Sequence, residues 1–286
     1  MSARTAERRH RPRLGLVRGS IAAALALTAV SWGFVLFWDR GSVQPFFSSV
    51  SVSRALDFVR DLLGVGTGRT PDYAQAGEWL ATGRLAYETL AMSVLAIGIA
   101  AAGALATFMF ASRNVMLGGL GRPTPLTRAV FYAVRLLYAL NRGIPELVWA
   151  MLIVFVLAPG ILPGAVALGI HNAGVLGKLG SEVVEGMDQR PLRALQAAGA
   201  GRLHVLFYGV LPEVLPRLVT YLFYRWEVVI RTTIVVGFVA AGGLGLRFRL
   251  SMSFFDYTAV TLLLLWYLLL VVAVDLIAAG MRRLAR

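Results

Sequence analysis

The chain has 286 residues, 58% of them hydrophobic, and a formal net charge of +13, with a mean hydropathy of +0.71. That apolarity excludes an ordinary soluble domain and points to a chain that crosses a bilayer several times. The lack of cysteine excludes a disulfide framework and thiolate chemistry, and the scattered His10, His171 and His204 make no metal site; the basic excess is arginine set between apolar runs, which reads as a topology signal rather than a nucleic-acid surface.

Taken in chain order, the first span is expected at 20–38, an uncharged run preceded by Arg4, Arg8, Arg9, Arg11, Arg13 and Arg18 against one acid, Glu7. The run is too long for the core of a secretory signal. Ala24-Leu25-Ala26 is therefore not read as a cleavage site, and 1–19 is a basic cytoplasmic N-terminus ahead of an uncleaved anchor. Residues 39–88 form an extracytoplasmic segment close to neutral, with five arginines and six acids. Within it, Val52, Ala55, Leu56, Val59, Leu62 and Leu63 recur at helical spacing, with Arg54, Asp57, Arg60 and Asp61 between them. Such a helix lies on the membrane surface or packs on the spans. Residues 64–72 read as a flexible turn, and its Gly64, Gly66 and Gly68 follow no strand, which weakens any nucleotide-binding reading.

The second span is expected at 89–111. The loop 112–127 holds Arg113 and Arg122 and no acid, which places it inside. The third is an amphipathic approach over 128–142 leading into 147–159, broken or kinked at Gly143 and Pro145. A glycine-rich fourth span follows at 161–180, a fifth at about 213–238 and a sixth at 258–279. The tail 281–286 carries Arg282, Arg283 and Arg286 and no acid, so both termini come out cytoplasmic. The expected fold is an all-α membrane protein of about six transmembrane helices, with a core over 89–280.

One cytoplasmic segment, about 188–212, stands apart. Pro191 suits the first turn of a helix, Gly199 and Gly201 break it, and Arg202 to Leu211 form a second short helix before Pro212. This helix–turn–helix is either an ordinary basic interfacial loop or a docking element. Catalytic motifs fail: the single lysine, Lys178, is followed by Leu179, and Asn172 stands where a phosphate-binding loop needs its first glycine. No HExxH, GxSxG or Ser/His/Asp grouping occurs, so no enzymatic activity is assigned to the chain.

The register of that segment resembles the EAA loop of binding-protein-dependent ABC transporter permeases. Arg193, Ala194 and Leu195 stand at the EAA positions, Gly199 at the glycine, and Leu211-Pro212 at the closing Leu-Pro. Arg193 replaces the glutamate, Leu195 the second alanine, and Gly209 an apolar residue. Further stretches (Arg142 to Ala150, Ala167 to Lys178, Leu211 to Pro216, Tyr224 to Val228, Arg231 to Gly237 and Ala241 to Gly245) look like permeases of phosphonate uptake systems, with phosphite and hypophosphite importers close by. The resemblance covers residues from about 88 onward. It implies a type I ABC importer permease fold, and docking of Arg193, Ala194, Leu195, Gly199, Gly201, Arg202, Leu211 and Pro212 on a separate ATPase. That ATPase holds the ATP and Mg, while this chain carries no cofactor and no metal. The further partners implied are a second permease subunit, forming a homodimer, and an extracytoplasmic phosphonate-binding protein. The function implied is import of phosphonate or a related oxyanion by alternating access in a bacterial inner membrane. The alternatives are a permease for another small solute and a secondary transporter or channel.

Residues that could line the path are polar ones inside the spans. Arg225 lies about 200° around the helix from Glu227 and shares a stripe with Arg217, Tyr221 and Thr232. A charge facing lipid at a helix centre costs at least about 2.5 kcal/mol, whereas a phosphonate welcomes a guanidinium. Glu227 and Arg231 form either a helical ion pair, with Arg142 and Glu146 as its companion, or part of the path. His171 and Asn172 either bond between helices or line it. Gly242, Gly243 and Gly245 mark a gate hinge or an exit loop.

Overall fold

The computed structural model describes residues 15–38, 48–66, 68–118 and 123–284; Arg4, Arg8, Arg9, Arg11, Arg13, Arg122 and Arg286, part of the expected charge asymmetry, lie outside the described residues. The chain divides into two compact units, Met1–Asp61 and Leu62–Arg286.

The first unit holds α1 (Leu16–Gly33), continued by a π-helical turn over Phe34–Trp38, and then α2 (Ser49–Leu62). The stretch Val17–Trp38 is 22 residues long and nothing in it is buried, as expected of a helix solvated by lipid. At 1.5 Å per residue it measures about 33 Å, enough for the hydrocarbon layer. Trp32, Phe34 and Trp38 gather toward its end, where aromatic rings favour the membrane boundary. In α2 the apolar stripe of Val52, Ala55, Leu56 and Val59 opposes a charged face on which Arg60 and Asp57 lie 3.5 Å apart, and no residue of the helix is buried.

The second unit contains α3 (Ala76–Thr107), α4 (Pro125–Gly143), α5 (Glu146–Leu157), α6 (Ile161–Gly186), α7 (Arg190–Ala197), α8 (Leu211–Val236), α9 (Gly243–Ser253) and α10 (Tyr257–Leu284). Helix α6 is the central member, packed along α3 and against α4, α5 and α8. Small residues allow this: Ala165, Ala167 and Gly169 are buried on it, and Met92, Ala96 and Ala100 meet it from α3. A Cβ at Gly177 would fall 2.3 Å from the Tyr138 ring, so glycine there admits a ring whose hydroxyl reaches Thr107 Oγ1 at 2.6 Å. One glycine thus lets α3, α4 and α6 close on one another.

The all-α membrane fold expected from the sequence is the fold observed. Among the described residues, four helices are long and apolar enough to cross a membrane: Val17–Trp38, Ala76–Thr107, Arg202–Val239 and Tyr257–Leu284. The expected third span is the pair α4 and α5, bent by 95° at Ile144-Pro145. With 12 residues, α5 reaches only about 18 Å and cannot cross alone. The expected fourth span is α6, 26 residues long but less apolar, because its polar side chains meet other helices rather than lipid.

Two boundaries differ from expectation. Helix α3 starts at Ala76 rather than 89, so part of the expected outer segment is its first turns; Trp79 anchors them, donating from Nε1 to the Tyr73 carbonyl (2.7 Å) with its ring centroid 5.7 Å from that of Trp266. After α8 the glycines do more than turn the chain. Gly242 and Gly243 take φ of +90° and +64°, and α9 follows, its Leu244 N–H donating to Thr89 Oγ1 at 2.9 Å. An added helix there has no signal in a run that reads as a glycine loop.

Candidate functional site

The 188–212 segment is built as its sequence suggests. The Asp188 carboxylate accepts from Arg190 N–H (2.9 Å), Pro191 sits in the first turn of α7, and Gly199 ends the helix at φ +86°. Ala200 N–H donates to the Leu195 carbonyl and Gly199 N–H to that of Gln196, both at 3.0 Å, which is the Schellman arrangement. Gly201 then starts a single turn, Arg202–His204, and a π-helical turn over Val205–Val210 runs into α8. Leu192, Val205 and Val210 are buried against Phe108, Val184, Met187, Val214 and Leu218. Arg193, Ala194, Gly199, Gly201, Arg202 and Pro212 are left exposed, and Leu195 and Leu211 half-buried. The element is therefore seated on the ends of α3, α6 and α8 by one apolar side and free on the other.

The departure at 209 answers Leu192 and, less closely, the departure at 195. A Cβ on Gly209 would lie 2.7 Å from Leu192 Cδ2 and 3.1 Å from Leu195 Cδ1. A large residue at 195 takes the volume that a large residue at 209 would need. Gly209→Leu alone should lower the melting temperature of the purified protein. Gly209→Leu with Leu195→Ala should be better than the sum of the single changes by about 1 kcal/mol, a coupling of the size found for touching residues. Strictly additive losses in thermal unfolding would show that the two positions are independent.

Deeper in the unit, four of the expected path residues come together. Asn172 is buried on α6, and its Oδ1 accepts from two guanidinium nitrogens of Arg225, Nε at 2.9 Å. Its amide nitrogen donates to the Leu168 carbonyl at 2.7 Å. Beside it, His171 Nδ1 lies 3.1 Å from the Ile144 carbonyl and its Nε2 lies 3.7 Å from Glu146 Oε2. Glu146 opens α5 just past the bend, and its carboxylate acts electrostatically on Arg225. The bend at Pro145 thus brings an acid to the same place as Arg225. Asn172 engages two of the guanidinium nitrogens, and the fork retains further N–H donors.

The remaining candidates go elsewhere. Glu227 pairs with Arg282, and Arg231 with both Asp275 oxygens at 2.8 and 3.0 Å, so both tie α8 to α10. The expected helical pair Glu227–Arg231 is replaced by these contacts, because partners on another helix reach the charges from the side that α8 turns away from Arg225. The companion pair Arg142–Glu146 is likewise not formed; the bend turns Glu146 toward His171, and among the described residues the Arg142 side chain has no hydrogen-bond or ion-pair partner. Tyr221 packs half-buried against the core around Met92 and Leu168. Thr232 Oγ1 donates to the Val229 carbonyl (3.1 Å), and Arg217 pairs with Glu213 (3.6 Å). Sequence reading missed Asp275 and Arg282 as partners; an acid and a base on the last helix, facing a base and an acid on α8, were the available signal.

A polar cavity of about 240 Å³ opens between α4 and α6, with Arg142 and Lys178 in its wall. Near the start of the unit, Asp72, Glu78 and Arg247 line another of about 290 Å³. There burial, followed by the Asp256 and Glu78 charges, raises the Asp72 carboxyl above the usual range.

Residues 114–285 match the family described as binding-protein-dependent transport system inner membrane component. Over 264 residues the chain is 35% identical to the phosphite transport system permease protein PtxC of Stutzerimonas stutzeri, covering 88% of this chain and 92% of that protein. Over 202 residues it is 33% identical to the phosphate-import permease protein PhnE of Mycolicibacterium smegmatis, covering 71% of this chain and 36% of that one. In fold it is similar to the MetNI methionine ABC transporter in its inward-facing conformations, with a TM-score of 0.61 at 20% identity, over 74% of this chain and 99% of that chain.

Proposed function

The chain belongs to the binding-protein-dependent transport system inner membrane components, the multi-pass permease subunits of ABC importers, and on that premise we propose that it carries a phosphorus oxyanion inward by alternating access. The observation that carries this reading is the 35% identity along 88% of the chain to a phosphite permease. The arginine–asparagine site supports it chemically. A guanidinium held by one buried amide, with further N–H donors unused, suits a tetrahedral anion that must bind and then leave. Phosphite, phosphonate and phosphate share that chemistry.

ATP and Mg are held by two cytoplasmic ATPase subunits, which receive the exposed side of the 188–212 segment, including Arg193, Ala194 and Arg202. Helix α8 runs straight from that segment, and Arg225 lies about 21 Å along it from Leu211. A second copy of the chain completes the pathway, and an extracytoplasmic binding protein delivers the anion. On this reading both termini are cytoplasmic, which the arginine excess of 1–19, 112–127 and 281–286 supports.

The test is reconstitution with the cognate ATPase and binding protein, measuring uptake of phosphite, methylphosphonate and phosphate into proteoliposomes. ATP-dependent uptake of at least one of them is expected. Uptake of none, with ATP-driven uptake of another solute, would overturn the substrate reading. Uptake that persists without the ATPase would favour a secondary transporter.

A further inference from the structure

Helix α6 is buried on nearly every side, yet one stripe of it opens progressively. His171, Lys178 and Glu182 stand at i, i+7 and i+11, within about 40° of one another around the helix. Their side chains are 13%, 40% and 49% exposed in that order. Between His171 and Lys178 this face carries Gly174, buried under the α4 backbone beside Tyr138 and Arg142, and Val175, so the opening lies at the end nearer α7.

At Lys178 the stripe meets the cavity between α4 and α6, about 240 Å³ in volume. At about 30 Å³ per water, that is room for an anion of four or five heavy atoms with part of its hydration shell. Charges in the wall do not cancel. Arg135 is paired with Glu185, and Lys178 with Glu182 at 2.7 Å. Arg142, in the last turn of α4, is exposed and its side chain has no partner among the described residues. One guanidinium is left over, facing an ammonium across the cavity.

We propose that this cavity is a second station for the oxyanion, with Arg142 as its anchoring group and Lys178 beside it. The proposal rests on the oxyanion reading above. Lys178 is about 9 Å along α6 from Asn172, on the side nearer α7. Two carboxylates in the same wall keep the attraction weak, as a site for release requires. Arg142 at a helix C-terminus also complements the helix dipole. A lysine there keeps that favourable charge but loses the paired donors that grip an oxyanion.

The experiment uses the complete complex in proteoliposomes with its phosphite-loaded binding protein, and follows phosphite import and ATP hydrolysis in the same samples. Arg142→Gln should lower the phosphite imported per ATP hydrolysed about fivefold, close to 1 kcal/mol on a barrier. Arg142→Lys should fall between that variant and wild type, and Lys178→Gln should give a smaller loss. Import per ATP unchanged within twofold in Arg142→Gln would overturn the proposal. So would a fall of import and hydrolysis in equal proportion, or full activity in Arg142→Lys, either of which assigns Arg142 to the helix end alone. A wild-type complex that imports no phosphorus oxyanion defeats the substrate reading itself, so the two failures are distinct.

Discussion

Replacing Arg225 with alanine should lower ATP-driven oxyanion uptake by about tenfold or more, a barrier change of at least about 1.4 kcal/mol, and lower ATP hydrolysis less. The variant removes the guanidinium that Asn172 holds inside the helical core. It also leaves the buried Asn172 Oδ1 without its donor, which costs about 1–3 kcal/mol of stability. These consequences can be separated. Adding Asn172→Leu to Arg225→Ala removes the orphaned acceptor and should restore much of the melting temperature, but it should not restore uptake. Arg225→Lys keeps a charge and loses the paired donors, so it should recover uptake only in part. Normal expression with unchanged uptake in Arg225→Ala would take this residue out of the pathway. Recovery of uptake in the double variant would reduce its role to packing.

Gly245→Ala should be the most damaging of the small substitutions. Its Cβ would lie 2.2 Å from the Ile234 carbonyl oxygen and 2.7 Å from Gly237 Cα. Both obstacles are backbone, so no rotamer change relieves them, and α9 must lift away from the end of α8. The cost should reach about 3 kcal/mol, the upper part of the range for overpacked cores. It would be seen as a large loss of folded protein in detergent and a lower melting temperature. Gly98→Ala on α3 is the matching control: nothing lies within 4 Å of its added Cβ. Helix propensity should make that change neutral or stabilising by up to about 1 kcal/mol. Equal stability of the two variants would show that α8 and α9 do not meet as closely as described.

Much of this was written in the sequence because it depends on neighbours along the chain. The kink at Gly143-Pro145 and the stop at Gly199 are local backbone effects and are placed as expected; the second short helix expected to end before Pro212 instead runs on unbroken into α8, over Arg202–Val239. The angular argument that Arg225 cannot share a face with Glu227 also held: Arg225 bonds to α6, and Glu227 to α10. What the sequence could not supply was the partner. A helical wheel shows that Asn172 and Arg225 are polar residues among apolar ones, but not that they face each other from 53 positions apart. It offered Arg231 as the neighbour of Glu227, where the last helix supplies Arg282 and Asp275 instead. Nor could periodicity reveal that Leu195 and Gly209 share one space, because that contact crosses the turn of the loop.

The two contacts between α8 and α10 bear on how the chain finds its register as it is inserted. One helix carries an acid and then a base, Glu227 and Arg231, and the other an acid and then a base, Asp275 and Arg282. Running in opposite directions, they match acid to base at both points. Sliding either helix until only one residue of each pair overlaps brings Arg231 beside Arg282 or Glu227 beside Asp275, and like charges repel. The pairs therefore act as a two-point address: apolar surfaces alone would let these long helices settle at several depths, and the charges accept one.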